Sequence, residues 1–197
     1  SGGVIAGVQA TRMGKRVILL EPGNHLGGMT SGGLSAVDIG DPRTVGGLAR
    51  EYFTRLIAQY DKQFDWDQSS NGHGGPKIGG EYSIEPHVAE RLFDEMAAEA
   101  GVVVVRNARL ASVQKTGPRL HSITTEAGNV YTAPMFLDTT YEGDLMAAAG
   151  VRFTLRREGN AMYGETLNGI SYSPQFQPRR GYTQPRTNGW LPIGQRV

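Results

Sequence analysis

Cysteine is absent from all 197 residues, which removes a disulfide framework, a thiolate metal site and a cysteine nucleophile from consideration. That absence assigns no compartment, and cytoplasmic, periplasmic and secreted locations all stay open. No apolar run reaches the roughly 18 residues that span a bilayer, and the chain does not start with the charged region of a signal peptide. Charge of one sign is missing too: Lys+Arg 20 against Asp+Glu 19 leave a formal net charge of +1. With no basic run and no interleaved aromatic pattern, nucleic acid is not an expected partner. At 39% hydrophobic and 20% charged, the composition is that of a soluble globular protein with room for one good core or two small ones.

Glycine, in contrast, is abundant: 28 residues, against a usual share of roughly 7%. The surplus clusters at 2–3, 23–33, 40–47 and 72–80, where a chain turns tightly or brings bare backbone against a ligand. The first two clusters frame an ordered pattern. From Gly3 to Met13, Val4, Ile5, Val8 and Met13 alternate with slim Ala6, Gly7 and Ala10, which predicts a helix able to press close to a sheet. Gly14 ends it, and Lys15 and Arg16 suit the negative end of the helix dipole. Val17-Ile18-Leu19-Leu20 then reads as a parallel strand buried on both faces, with Glu21 directly after it.

An acidic residue closing the second strand of a dinucleotide fold accepts hydrogen bonds from a ribose diol, about 20 residues after the glycine turn. Gly3 and Glu21 have that spacing, although a solvated carboxylate at a strand end would look the same. In G-x-G-x-x-G the last glycine permits close helix packing, and Gly3 is best placed as that residue. The first strand and earlier glycines would then precede Ser1, so the chain is expected to be truncated by about ten residues or more.

The second cluster runs Pro22-Gly23-Asn24-His25-Leu26-Gly27-Gly28-Met29-Thr30-Ser31-Gly32-Gly33. A nicotinamide enzyme has no need of so long a glycine loop after its ribose-binding acid, whereas a long, flat flavin dinucleotide has to be enclosed by backbone. LLEPGNHLGGMTSGGLSAVDIG resembles the corresponding segment of FAD-dependent oxidoreductases related to the fumarate reductase and succinate dehydrogenase flavoproteins. Within that group it resembles most the bacterial family whose members are often labelled xanthan lyase. A second block, Phe136 to Gly150, resembles that family's D-A-T-Y-E-G-D-L segment.

The resemblance covers most of residues 1–170. It implies an α/β chain: a Rossmann-like FAD-binding domain of the glutathione-reductase type with a β-meander insertion, incomplete at both ends. Residues 1–150 would form the FAD-binding domain without its first strand. Residues 151–197 would begin a substrate-covering domain or linker. FAD would be held non-covalently. Ser1, Gly2 and Gly3 would lie at the pyrophosphate, where helix amides favour anions, and Glu21 with Pro22 at the adenosine ribose. Gly27, Gly28, Met29, Thr30, Ser31, Gly32 and Gly33 would run along the ribityl and flavin portion. Ala108 and Leu110 would bring backbone to the adenine. Thr139, Thr140 and Glu142 belong to the second block; there Asp138 and Glu142 have open roles, helix capping and cofactor proximity explaining Glu142 and Asp144 equally well.

The rest of the chain reads as scaffold. Leu48, Tyr52, Phe53, Leu56, Ile57 and Tyr60 predict a helix within 44–62, and residues 63–80 a polar loop with an exposed His73. Ser83 precedes a helix with Pro86 in its first turn and Val88, Leu92, Met96 and Ala100 on one face, His87 being structural there. Residues 101–105 predict a buried strand, and 109–115, 119–126 and 129–132 a β-meander broken at Gly117-Pro118 and Ala127-Gly128. A further strand, 133–138, is expected to return to the parallel sheet, with Thr139-Thr140 capping the helix after it.

No catalytic acid–base constellation is visible among the four histidines, and no metal site. His25 neighbours a region where related flavoproteins attach FAD covalently, but its surroundings do not match theirs. Arg179, Arg180 and Arg186 would bind an acidic substrate or form a solvated basic loop. The expected activity is flavin-dependent oxidation or reduction of a small organic or carbohydrate-derived substrate. The alternatives are a polysaccharide lyase or a non-catalytic assembly protein on a retained scaffold. Oligomeric state is left open.

Overall fold

The computed structural model describes residues 1–34, 41–63, 66, 84–153 and 159–164. Two compact units divide it, Ser1–Ala149 and Gly150–Val197. In the second, the described residues hold a 3-10 turn, Asn160–Met162. His73, Ser83, Arg179, Arg180 and Arg186 lie outside the described residues, as do most of the 63–80 loop and all of 171–197.

The first unit packs three helices over a short parallel ribbon. Helix α1 spans Gly2–Arg12 and ends through Gly14, whose φ of 78° is the left-handed conformation that glycine adopts without strain. Strand β1, Ile18–Leu20, follows. Helix α2 covers Gly47–Ala58 and helix α3 Pro86–Ala100, with Pro86 in its first turn as expected and Glu85 at the N-cap. Strand β2, Val103–Val105, pairs in parallel with β1, Ile18 against Val103 and Leu20 against Val105.

This ribbon departs from the expected strand buried on both faces. Leu19 and Val104 pack against the helical core, whereas Ile18 and Val103 are 53% and 56% exposed. One face is covered by helices and the next residue along each strand turns to the other face. Close packing of the covered face relies on slim residues of α1: a Cβ at Gly7 would lie 3.4 Å from Val102 Cγ1 and 3.5 Å from Val17 Cγ1. A larger side chain there would lift the helix.

The core runs through all three helices, from Val4 and Val8 through Leu48, Tyr52 and Leu56 to Leu92, Phe93 and Met96. Phe93 is 1% exposed and stacks on Tyr52 at 4.1 Å between ring centroids and 13° between planes. The Tyr52 hydroxyl donates to Ala89 O at 3.0 Å, which satisfies a polar group that burial would otherwise penalise. Burial also holds this phenol well above its ordinary pKa. Arg12 bridges Glu51, and Arg55 bridges Glu99; such exposed pairs align the helices and contribute little stability.

The meander takes the form expected of it. Strands β3 (Leu110–Thr116), β4 (Arg119–Thr125) and β5 (Val130–Thr132) pair antiparallel in that order, with Gly117 at φ 57° and Gly128 at φ 81° in the turns. The expected strand at 133–138 is not formed. A strand exists only through hydrogen bonds to a neighbour, and this segment pairs with none of the described strands; Met135 and Leu137 stay 76% and 69% exposed. Helix α4, Asp144–Ala148, closes the unit. No helix among the described residues is long and apolar enough to cross a membrane.

Truncating the stacked ring tests where stability resides. Phe93→Ala should cost about 3–5 kcal/mol, read as a lowered denaturant midpoint at unchanged slope.

Candidate functional site

The end of β1 is stitched into a rigid corner. Glu21 N donates to Val105 O at 2.8 Å, Ala108 N donates to Glu21 O at 2.9 Å, and Asn107 N donates to Gly23 O at 2.9 Å. The Ala108 amide is therefore spent within the corner, and its side chain is buried. Arg106 adds a cross-tie, donating to Asn24 O at 2.9 Å and to Asp94 Oδ1 at 2.6 Å. Glu21 Oε1 accepts the Gly23 N–H at 2.9 Å, while Oε2 has no hydrogen-bond partner among the described residues.

Two residues of α3 hold the glycine loop that follows. Glu90 accepts the Leu26 N–H through Oε1 at 3.1 Å and meets His25 Nδ1 through Oε2 at 2.9 Å. Gly27 has φ 106°, and a Cβ on it would come within 2.6 Å of Phe93 Cδ2 and collide with Ser31 Oγ. Only glycine fits there. Ser31 is 7% exposed, and its hydroxyl donates to Leu26 O. A single 3-10 turn, Gly28–Thr30, then leads to Gly32 and Gly33 at the surface. At Gly33, φ is 104° and a Cβ would meet nothing within 4 Å among the described residues.

The second block lies against both glycine clusters. Thr139 faces the first turn of α1: a Cβ on Gly3 would fall 2.7 Å from Thr139 Oγ1 and 3.0 Å from Leu19 Cδ1. Met29 N donates to Tyr141 Oη at 2.6 Å, across 112 positions of chain. The segment carrying these residues is knotted by Asp138. Its Oδ1 accepts from Thr140 N at 2.9 Å and Thr140 Oγ1 at 2.7 Å, and its Oδ2 accepts from Met146 N at 2.8 Å. The cap of α4 differs from expectation: Gly143, at φ 70°, is the N-cap. Thr140 Oγ1 instead accepts the Asp144 N–H at 3.0 Å, and Thr139 does not cap. Glu142 is exposed and makes no hydrogen bond or ion pair among the described residues.

A cleft of about 470 Å³ opens beside this corner, lined by Pro22, Leu110, Arg109, Glu126, Asp144 and Ala148 among others. It unites Pro22, Leu110 and Asp144, all marked by the sequence, and adds two charged groups that the sequence does not mark, Arg109 and Glu126. Glu126 and Arg109 arrive together because Glu126 N donates to Arg109 O at 2.9 Å, a pairing between strand ends that no local pattern announces. Glu90, Phe93 and Tyr141 were missed as well. Glu90 and Phe93 sit on a helix whose spacing reads only as core, and Tyr141 lay unremarked inside the second block.

Among the described residues no group of three or more His, Asp and Glu could hold a metal ion. The family model described as FAD dependent oxidoreductase matches residues 1–190. The chain belongs to that family. FAD is accordingly its cofactor. A comparison with curated protein sequences found no match. Solved structures similar to parts of the chain include that of FqzB, at 17% identity and TM-score 0.45, covering 68% of this chain and 32% of that one. Another is the Diels-Alderase PyrE3 of the pyrroindomycin biosynthetic pathway, at 18% identity and TM-score 0.38, covering 65% and 28%. A third is the bacillithiol disulfide reductase Bdr (YpdA) from Staphylococcus aureus, at 17% identity and TM-score 0.34, covering 65% and 31%. The chain thus spans about a third of the length of the structures it matches.

The Asp138 knot carries a pH signature. Burial raises the carboxyl's pKa, but the amides of Met146 and Thr140, the Thr140 hydroxyl and the Leu145 amide outweigh this and hold it below its ordinary 3.8. A depressed folded value stabilises the fold above the unfolded value, and the contribution is lost as pH falls through the folded one. Wild type should therefore lose urea resistance below about pH 4 by more than Asp138→Asn does, and parallel pH profiles would contradict this account.

Proposed function

We propose that this chain is the FAD-holding part of a flavin-dependent oxidoreductase acting on a small organic or carbohydrate-derived substrate. The observation that carries the proposal is the convergence of the two glycine clusters, Glu21 and the second block on one corner of the fold. The residues present fit the cofactor. At the start of α1 the first-turn amides have no intrahelical acceptor, and Glu21 Oε2 has no hydrogen-bond partner among the described residues. Gly33 offers bare backbone, with nothing among the described residues within 4 Å of where a Cβ would stand.

The assignment of roles follows the chemistry of the donors. Ser1, Gly2 and Gly3, at the positive end of the helix dipole, would neutralise the pyrophosphate. Glu21 would accept from the adenosine ribose, with Pro22, Ala108 and Leu110 walling the adenine side. Of these, Ala108 contributes shape, its amide being already bonded. Gly27 to Gly33, with Thr30 and Ser31, would border the ribityl and flavin portion. Bound FAD supplies the two-electron redox chemistry, and the protein supplies its position and surroundings. FAD would be held non-covalently, the surroundings of His25 not matching those of histidines that attach it. Thr139 and Thr140 would shape the wall near α1.

The fold would be of the glutathione-reductase type, a reading that the parallel pair β1–β2 and the antiparallel meander support. The sequence blocks support kinship with the fumarate reductase group. Residues 1–150 would serve as the FAD-binding domain and 151–197 as the approach to a substrate-covering one.

Flavin release from the purified protein tests the proposal: FAD in about one equivalent is expected, and a colourless extract together with unsaturated uronates from a polysaccharide would replace it by the lyase reading. Glu21→Ala should weaken FAD binding roughly 10- to 100-fold, the loss of a hydrogen bond to a charged acceptor. Unchanged affinity would remove Glu21 from the ribose.

A further inference from the structure

Tyr141 makes a contact that the FAD-binding reading leaves unexplained. Its side chain is 66% exposed, yet its hydroxyl accepts the Met29 N–H at 2.6 Å and its ring lies over Gly28. A Cβ at Gly28 would collide with Tyr141 Oη and come within 3.1 Å of Cζ. Gly28 has φ 56° and Met29 lies in the first turn of the 3-10 helix, so the Met29 amide is one of the orphan donors at a helix start.

The loop does not owe its shape to this contact. Leu26 is fixed by Glu90, Gly27 lies under Phe93, and Ser31 ties back to Leu26. Two further bonds close the turn from within, Thr30 N to Gly27 O at 3.2 Å and Ser31 N to Gly28 O at 3.3 Å. All of these lie on the α3 side or inside the loop. Tyr141, itself 66% exposed, instead takes the amide of Met29, which is 59% exposed. Its base is firm: the preceding Thr140 is clamped by Asp138, so the tyrosine can release the amide by rotating its side chain without unravelling the segment.

From this geometry we propose that Tyr141 is a placeholder at the cofactor loop. In the ligand-free protein its hydroxyl oxygen occupies the Met29 amide, and an oxygen of FAD takes that amide on binding, with Tyr141 swinging away. The proposal rests on the FAD-binding reading of this loop and adds a competing internal ligand to it. The displaced bond is a neutral, exposed one, so it should weaken cofactor affinity only modestly, by about two- to tenfold.

The test compares Tyr141→Phe with wild type in the full chain by titrating FAD into flavin-free protein, together with exchange of the Met29 amide. The variant keeps the ring and loses only the oxygen. Expected are FAD binding about two- to tenfold tighter, an unchanged melting temperature, and faster Met29 exchange in the flavin-free variant with Leu26 and Ser31 unaltered. Equal or weaker FAD binding by the variant, while wild type binds normally, would overturn the placeholder and leave the FAD site standing. Failure of both proteins to bind FAD would remove the site itself and the competition with it. Loss of protection at Leu26 and Ser31 would make Tyr141 a support for the loop and also overturn the proposal.

Discussion

The missing side chain at Gly27 is the constraint on which most of this unit turns. Phe93 fills the space a Cβ would need while its other face stacks on Tyr52. One ring thus joins α2, α3 and the loop after β1. The same helix turn presents Glu90 to Leu26 and His25. Apolar packing and a charged clamp consequently act on adjacent residues of the loop, and neither tolerates movement of the other. Stability of the helical core and placement of the glycine loop are for this reason one property.

On the other side of the site, order comes from polar bonds. Asp138 uses both oxygens on its own neighbourhood and on the start of α4, so a short helix that could not persist alone becomes part of a fixed turn. Thr139 and Tyr141 inherit their positions from that turn. The two halves differ in kind: a buried, close-packed wall that resists change, and an exposed, hydrogen-bonded one that can exchange partners with water or ligand. The proposed dinucleotide site would combine a preformed cradle with a way in.

Much of this was legible in the residues. Pro86 and the Val88, Leu92, Met96 spacing fix α3, and Gly117 and Gly128 mark the meander turns. The apolar run before Glu21 gives β1, because these signals are local. What escaped was set by distance along the chain. The reach of Tyr141 to Met29 and of Glu90 to Leu26 depends on how helices and loops dock, which no window of neighbouring residues contains. The 133–138 segment has the composition of a strand, but strand formation requires a partner and composition does not supply one. The exposure of Ile18 and Val103 has a related cause: an all-apolar run does not say which of its faces meets a helix.

The pairing of Ile18–Leu20 with Val103–Val105 also bears on how the chain folds. Two three-residue strands are too short to persist on their own, and closing the chain between them is entropically costly before any reward arrives. The helices between these strands can form from local contacts, whereas the parallel ribbon must wait for distant segments to meet. The corner that carries Glu21, and with it the proposed cofactor-binding surface, therefore depends on the helical layer that brings its two strands together.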